Sequence, residues 1–427
     1  MSTHDHNHHI EERFEFGGKL KTYSLAAIGV GALLVILGFA FGQGSYAMSN
    51  LLLMAYYFAC VCICGAFFCG VQYVAQAGWS ASILRIPQAF AQTLLWAGVI
   101  LILVVIAGLY VQFPFKNIEG ETHVLPALYH WAAKDATVKG SEIYDPVLIK
   151  KAGYLNIPFF IIRIAAMVFA YALFGRMLVR YSLNEDEVGG MLNYKKSFKI
   201  SATFLAILGF TFPLFAFDNI MSVESHWFST MFGWYNFAAM WVSGLSVMTL
   251  VIIYLRKQGY MQWVTESHLH NMGLFMFAFS IFWTYTWFAQ FLLQYYANIP
   301  EEVEYFYRRW EPDYMFLFWT NLVINFCAPL LVIMMRDSKR NYNVLQWIAS
   351  ILVIGHWLDY YVMIMPGTQG TTEHWWQHFS MFGFIEIGAF LTFAGLFCFM
   401  MFSALAKFSS LIPKKHPFLE ESLHHHI

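Results

Sequence analysis

Charge is scarce in this chain. Asp, Glu, Lys and Arg make up 12% of its 427 residues, where soluble domains carry roughly 25%. So little charge cannot clothe a water-facing surface. With 59% hydrophobic and 19% aromatic residues, the composition excludes an ordinary soluble enzyme. It fits a polytopic membrane protein, whose apolar side chains face lipid as well as one another. The net charge of −1 gives no footing for nucleic acid, which is held by basic surfaces. Cysteine is also sparse: Cys60, Cys62, Cys64, Cys69, Cys327 and Cys398, all inside apolar runs. There is no CxxCH for covalent haem and no CxxC pair for zinc or an iron–sulfur cluster. Cys60, Cys62 and Cys64 advance by two, which spreads them over different helix faces, and they read as small packing residues. No GxxxxGK[ST], HExxH or GxSxG occurs, so any catalysis belongs to an assembly rather than to this chain alone.

What is present is a series of apolar runs. A helix needs about 20 such residues to cross the hydrocarbon core. Ten runs qualify, at about 23–42, 50–74, 87–112, 154–175, 198–217, 228–255, 271–296, 314–335, 343–365 and 380–406. Placing both termini in the cytoplasm puts 17 of the 25 Lys and Arg on the inner side and seven on the outer, with Arg163 inside a span. That is the bias a bilayer imposes. The expected class is therefore an all-α membrane protein with ten transmembrane helices and no visible domain boundary. A polar N-terminal tail (1–22) and a C-terminal tail (407–427), both on the cytoplasmic side, flank the spans (23–406). The start, MSTHDHNHHIEERFEF, lacks the apolar core of a signal peptide. With His4, His6, His8 and His9 it reads as a solvated tail, and the ending LHHHI reads the same way.

One loop is long, at about 113–153 on the outer side. Loops of that length inside a compact fold are usually functional. It is either a dock for an outer partner or a lid over the protein's own helices.

Ionisable groups within spans are costly and mark function by default. DNIMSVESHW (218–227) joins spans five and six at the outer side with Asp218, Glu224 and His226. His356 and Asp359, at i and i+3 in span nine, share a helix face. Glu386 lies about two turns into span ten, preceded by His374 and His378, while Arg308, Arg309 and Asp313 precede span eight. Arg163 reads as a counter-ion to Asp359 or Glu386. Together these acids and imidazoles suggest a cluster that passes protons or receives a quinol head, because burial shifts such groups toward neutrality. On the inner side Glu266, His268 and His270 are candidates for proton uptake. Tyr285, Thr284, Thr286 and Gln290 of span seven are possible links between the two sides. The plainer alternatives are that Asp218 caps the next helix, aided by Ser222 and Glu224, and that His356 is a satisfied core histidine. Haem needs two ligands at matching depth on facing helices. His356 is the only histidine deep in a span, which argues against it.

Four stretches carry a resemblance: AGWSASILRIPQAF (77–90), FPLFAFDNIMSVESHWFSTMFGWYNFAAMWVSG (212–244), FWTYTWFAQFLLQYYANIPEE (282–302) and GHWLDYYVMIMPG (355–367). They resemble the ActF-type membrane subunits of alternative complex III, a bacterial quinol:cytochrome c oxidoreductase, within the NrfD/PsrC-like polysulfide-reductase group. The resemblance runs from about 20 to 410 and is most specific over 212–244. It implies ten helices, eight of them in two four-helix bundles, in a bacterial inner membrane. It implies no redox cofactor in this chain, with quinol as the one small ligand it admits, and haems and iron–sulfur clusters in partner subunits. Those partners would be an ActC-like sister membrane subunit, an iron–sulfur protein, multihaem cytochrome c subunits and, in some assemblies, a haem-copper oxidase. A proton path or a bracing role is implied for the subunit. The matched positions are Asp218, Glu224, His226, His356 and Asp359.

Two other classes compete with that reading. A purely structural anchor would lose assembly without any site-specific chemistry. A stand-alone transporter would show broken helices near the midplane and a repeat signature.

Overall fold

The computed structural model describes residues 12–116, 122–369 and 383–425. Among them are ten helices long and apolar enough to cross a membrane: α1 (Gly18–Ala40), α2 (Gly44–Val74), α3 (Arg85–Tyr110), α4 (Ile157–Val188), α5 (Met191–Asn219), α6 (Met231–Lys257), α7 (Glu266–Ala297), α8 (Tyr314–Ile333), α9 (Tyr342–Gln369) and α10 (Phe384–Leu405). All ten predicted spans are present, and the protein is a multi-pass membrane protein of the all-α class. Helices are what such runs must form, because lipid offers no partner for a backbone N–H or C=O.

The helices close into two four-membered bundles in chain order. In the first, α2, α3, α4 and α5 each pack on the next and α5 returns to α2. In the second, α6 to α9 do the same. The bundles meet through α2, α5, α6 and α9. Accordingly α2, α6 and α9 are buried along most of their length, while the other seven present over half of theirs to the surroundings. α1 and α10 pair with one another and lean on the first bundle. Their backbones approach closely: a Cβ on Gly31 would lie 2.5 Å from the carbonyl oxygen of Gly388, the small-residue contact that draws membrane helices together.

Several boundaries depart from the apolar runs. α4 continues 13 residues past the predicted end at 175, through Arg176 and Arg180, because long basic side chains reach the headgroup layer while the backbone stays helical. α7 starts five residues early, where Thr265 and His268 form a reciprocal cap. α8 contains a π-turn at Val323–Cys327.

Both described ends lie on one face, as an even number of spans requires. The backbone N–H of Leu411 donates to the carbonyl of Glu12 at 2.8 Å. We call this the terminal face. The segment after α10 docks on the helix ends before the ending LHHHI: Phe408, Leu411, Ile412 and Ser422 are buried, and Ser422 Oγ donates to the Trp79 carbonyl at 2.6 Å. The apolar side chains of 408–425 gain more by covering helix ends than by facing water. The N-terminal histidines at 4, 6, 8 and 9, together with His374 and His378, lie outside the described residues.

On the distal face the long loop forms an antiparallel hairpin, β1 (Gln112–Lys116) with β2 (Thr122–Pro126), and a short helix, Pro146–Lys151, capped by Asp145. Its middle is a lid. Leu128 occupies the space a Cβ on Gly108 would need. Trp131 packs edge-on to Phe160 at 5.1 Å, and Tyr129 Oη donates to the Asn219 carbonyl at 3.0 Å.

Candidate functional site

DNIMSVESHW turns the chain from α5 into α6 at the distal face, and its three ionisable residues take three different partners. Asp218 sits in the last turn of α5. It receives Arg163 Nε at 2.6 Å and Nη2 at 2.7 Å, and the Tyr154 hydroxyl at 3.0 Å. The guanidinium is also held between the rings of Tyr154 and Phe159, at 3.8 and 4.5 Å. Arg163 is thus a counter-ion, but to Asp218 rather than to Asp359 or Glu386. Asp218 ends a helix instead of capping the next one.

Glu224 pairs with Arg309 Nη2 at 2.6 Å. Arg309 belongs to the amphipathic helix Pro300–Trp310 and is buried. It donates further to the carbonyls of Val362 at 3.0 Å, Met363 at 2.9 Å and Tyr305 at 2.6 Å, and lies 3.3 Å over the Tyr305 ring. Burial alone would pull this guanidinium down. The Glu224 carboxylate beside it more than offsets this, so it stands above its ordinary value. Gly367 makes room for the pair, since a Cβ there would lie 2.6 Å from Glu224 Cγ.

His226 is half exposed and meets Asp145. Burial nudges the Asp145 carboxyl up, but the bond from His226 and the N–H groups of Val147 and Leu148 hold it below the usual aspartate range. The expected cluster joining Asp218, Glu224 and His226 with the acids and imidazole of spans nine and ten is divided here, where 218–227 holds three separate ion pairs. Each carboxylate is bonded to a fixed guanidinium, which suits Asp218 and Glu224 to bracing rather than to trading protons or receiving a quinol head. A cleft of about 260 Å³ opens beside them on the distal face, lined by Glu224, His226, Asp145, His130, Glu304 and Arg308 among others. Burial, reinforced by Arg308, lowers the His130 imidazole to about 4, so it is neutral there.

A second centre lies inside the second bundle. Asp359 has no solvent exposure. It accepts from Tyr235 Oη of α6, Trp283 Nε1 of α7 at 2.9 Å and Asn321 Nδ2 of α8 at 2.7 Å. Asn325, in the π-turn, donates to Asn321 Oδ1 at 2.6 Å. Gly355 leaves space for it, because a Cβ there would meet Asn325 Oδ1 at 2.4 Å. His356 Nδ1 stands 3.7 Å from Asp359 Oδ2, and neither imidazole nitrogen has a hydrogen-bond partner. Each helix of the bundle thus supplies one part of a single polar centre. Three neutral donors offset the cost of a carboxylate in the bilayer, and no described guanidinium pairs with it. Beside it, an imidazole with both nitrogens unclaimed can take or give a proton. This is the arrangement best suited to proton exchange. His356 is buried with Asp359 as its nearest charged neighbour. The ring of Phe232 packs on Tyr305, which lines the cleft, and on Tyr235 of this centre, at 6.3 and 6.1 Å.

Glu386 forms a third, separate group. Its Oε1 takes the Tyr46 hydroxyl, Tyr46 Oη lies 2.9 Å from Tyr361 Oη, and its Oε2 is buried without a partner.

On the terminal face the three uptake candidates diverge. Glu266 is exposed and 3.5 Å from Arg340 Nε. His268 is committed to the cap of α7 and to Ser82 Oγ at 3.1 Å. His270 is buried, with Nδ1 unpartnered. They do not form one mouth. Sequence reasoning missed Tyr235, Trp283, Asn321 and Asn325. The two asparagines carried a signal, being amides at i and i+4 in an otherwise apolar run. Among the described residues no group of three His, Cys, Asp or Glu could hold a metal.

The C-terminal strap carries its own titrating group. His416 is buried among Tyr73, Tyr194 and Phe418, and its Nδ1 accepts the Phe418 N–H at 3.2 Å. Burial, with Arg85 adding to it, lowers the imidazole to about 4. A base lowered in the folded state stabilises fully above its unfolded value, near 6.5, and loses that contribution as pH falls toward 4. Opening of residues 411–424 should become easier by about 2 kcal/mol between pH 7.5 and pH 5. Hydrogen exchange at the two pH values checks this, and His416→Phe should remove the dependence.

No protein-family model matches the chain, and no curated protein matches it either.

Proposed function

We propose that this chain is an integral membrane subunit of a bacterial quinol:cytochrome c oxidoreductase of the alternative complex III kind, placed in the inner membrane with its terminal face toward the cytoplasm. In this reading it holds no redox cofactor. It exchanges protons at His356 and Asp359, and braces the assembly through the pairs Arg163–Asp218 and Arg309–Glu224. Its partners are an ActC-like sister subunit, an iron–sulfur protein and multihaem cytochromes. One observation carries the reading: three stretches that bear the resemblance, distant in the chain, converge on one carboxylate. Tyr235 comes from 212–244, Trp283 from 282–302, and His356 and Asp359 from 355–367.

A second reading, a purely structural anchor, is favoured by the guanidinium pairs at Asp218 and Glu224. The experiment is purification of the tagged full chain from its own membrane in mild detergent. It should arrive with haem-bearing and iron–sulfur subunits and oxidise quinol with cytochrome c as acceptor. Recovery as a lone chain that drives solute flux in proteoliposomes would overturn both readings and favour a transporter.

A further inference from the structure

Three cations on the terminal face have no role in the sites above. Arg176 and Arg180 are on α4, and Lys407 follows the end of α10. All three line a crevice of about 590 Å³ between α3, α4 and α10. At 1.5 Å per residue Arg176 is roughly 28 Å along α4 from Ile157. That is close to the full hydrocarbon thickness of about 30 Å, so both arginines stand at headgroup depth. They are exposed, and none of the three cations forms an ion pair with a described carboxylate. Two like charges at i and i+4 repel, and an anion between them would relieve that. The crevice holds one carboxylate, Glu187, against the three cations. Toward the bilayer its wall becomes apolar, with Phe399, Met400 and the exposed indole of Trp96.

Cations at the rim and an apolar wall leading into the membrane match one class of ligand. We infer that this crevice binds an anionic phospholipid, its phosphate between Arg176, Arg180 and Lys407 and an acyl chain along Trp96 and Phe399. Basic pockets between membrane helices hold anionic headgroups in this way.

The test is native mass spectrometry of the full chain, delipidated and then titrated with phosphatidylglycerol or phosphatidylcholine. The unaltered protein should retain one phosphatidylglycerol and not phosphatidylcholine. Arg176→Gln with Arg180→Gln should weaken retention roughly twenty- to thirtyfold. Lys195→Gln with Lys199→Gln removes the same charge from the same face away from the crevice and should leave retention unchanged. Ser403→Trp narrows the crevice with its charges intact and should also lose the lipid. Equal retention of the two lipids would overturn the inference. So would equal effects of the two charge pairs, full retention in Ser403→Trp, or displacement of the lipid by millimolar inorganic phosphate.

Discussion

Arg309→Met lowers the unfolding free energy of the solubilised protein by about 3–5 kcal/mol, the expected cost of leaving one member of a buried ion pair alone. The size follows from what the guanidinium does. It neutralises Glu224 at 2.6 Å and satisfies carbonyls of Val362, Met363 and Tyr305, so a methionine of similar length abandons four acceptors at once. Glu224→Gln alone should cost less, since an amide can still accept from Arg309. Combining the two changes should cost less than their sum, because the charge stranded by the first is absent in the second. Denaturant unfolding of the four proteins measures this. A loss under about 1 kcal/mol for Arg309→Met would mean the pair behaves as a solvated one.

Asp359→Asn should reduce proton translocation by the assembled complex roughly a hundredfold, the low end of what a positioned proton carrier contributes, while quinol oxidation at partner subunits continues. The amide retains one acceptor oxygen but turns a donor toward Tyr235, Trp283 or Asn321, so some loss of stability of about 1–3 kcal/mol accompanies it. Asp359→Glu separates the two effects, because it disturbs packing yet keeps a titratable group and should restore much of the translocation. His356→Phe should reproduce the loss without disturbing the three donors to Asp359. Assembled Asp359→Asn complexes that translocate normally would remove proton exchange from the proposed function and leave the anchor.

Number, order and approximate extent of the spans were legible because each depends on a local property, an apolar run long enough to cross lipid. The position of His356 and Asp359 on one face was legible for the same reason, being set by helical spacing. The partners of DNIMSVESHW were not legible. They come from residues 145, 163 and 309, brought together by the lid, α4 and the helix Pro300–Trp310. A short stretch holding two acids and a histidine looks like one cluster until the turns of its backbone point them apart. The docking of 408–425 was hidden too, since polar and basic residues dominate its composition while a few apolar ones decide its burial.

Lipid decides, residue by residue and with little regard to distant neighbours, which stretches must become membrane helices, and so the linear order of amino acids was enough to establish a ten-helix membrane protein. Which carboxylate is clamped by a guanidinium and which is left among neutral donors depends on side chains hundreds of positions apart meeting at one depth. Packing alone sets that, and it divides the candidates read from the sequence into guanidinium pairs at the 218–227 turn and a centre of neutral donors around Asp359 in the second bundle.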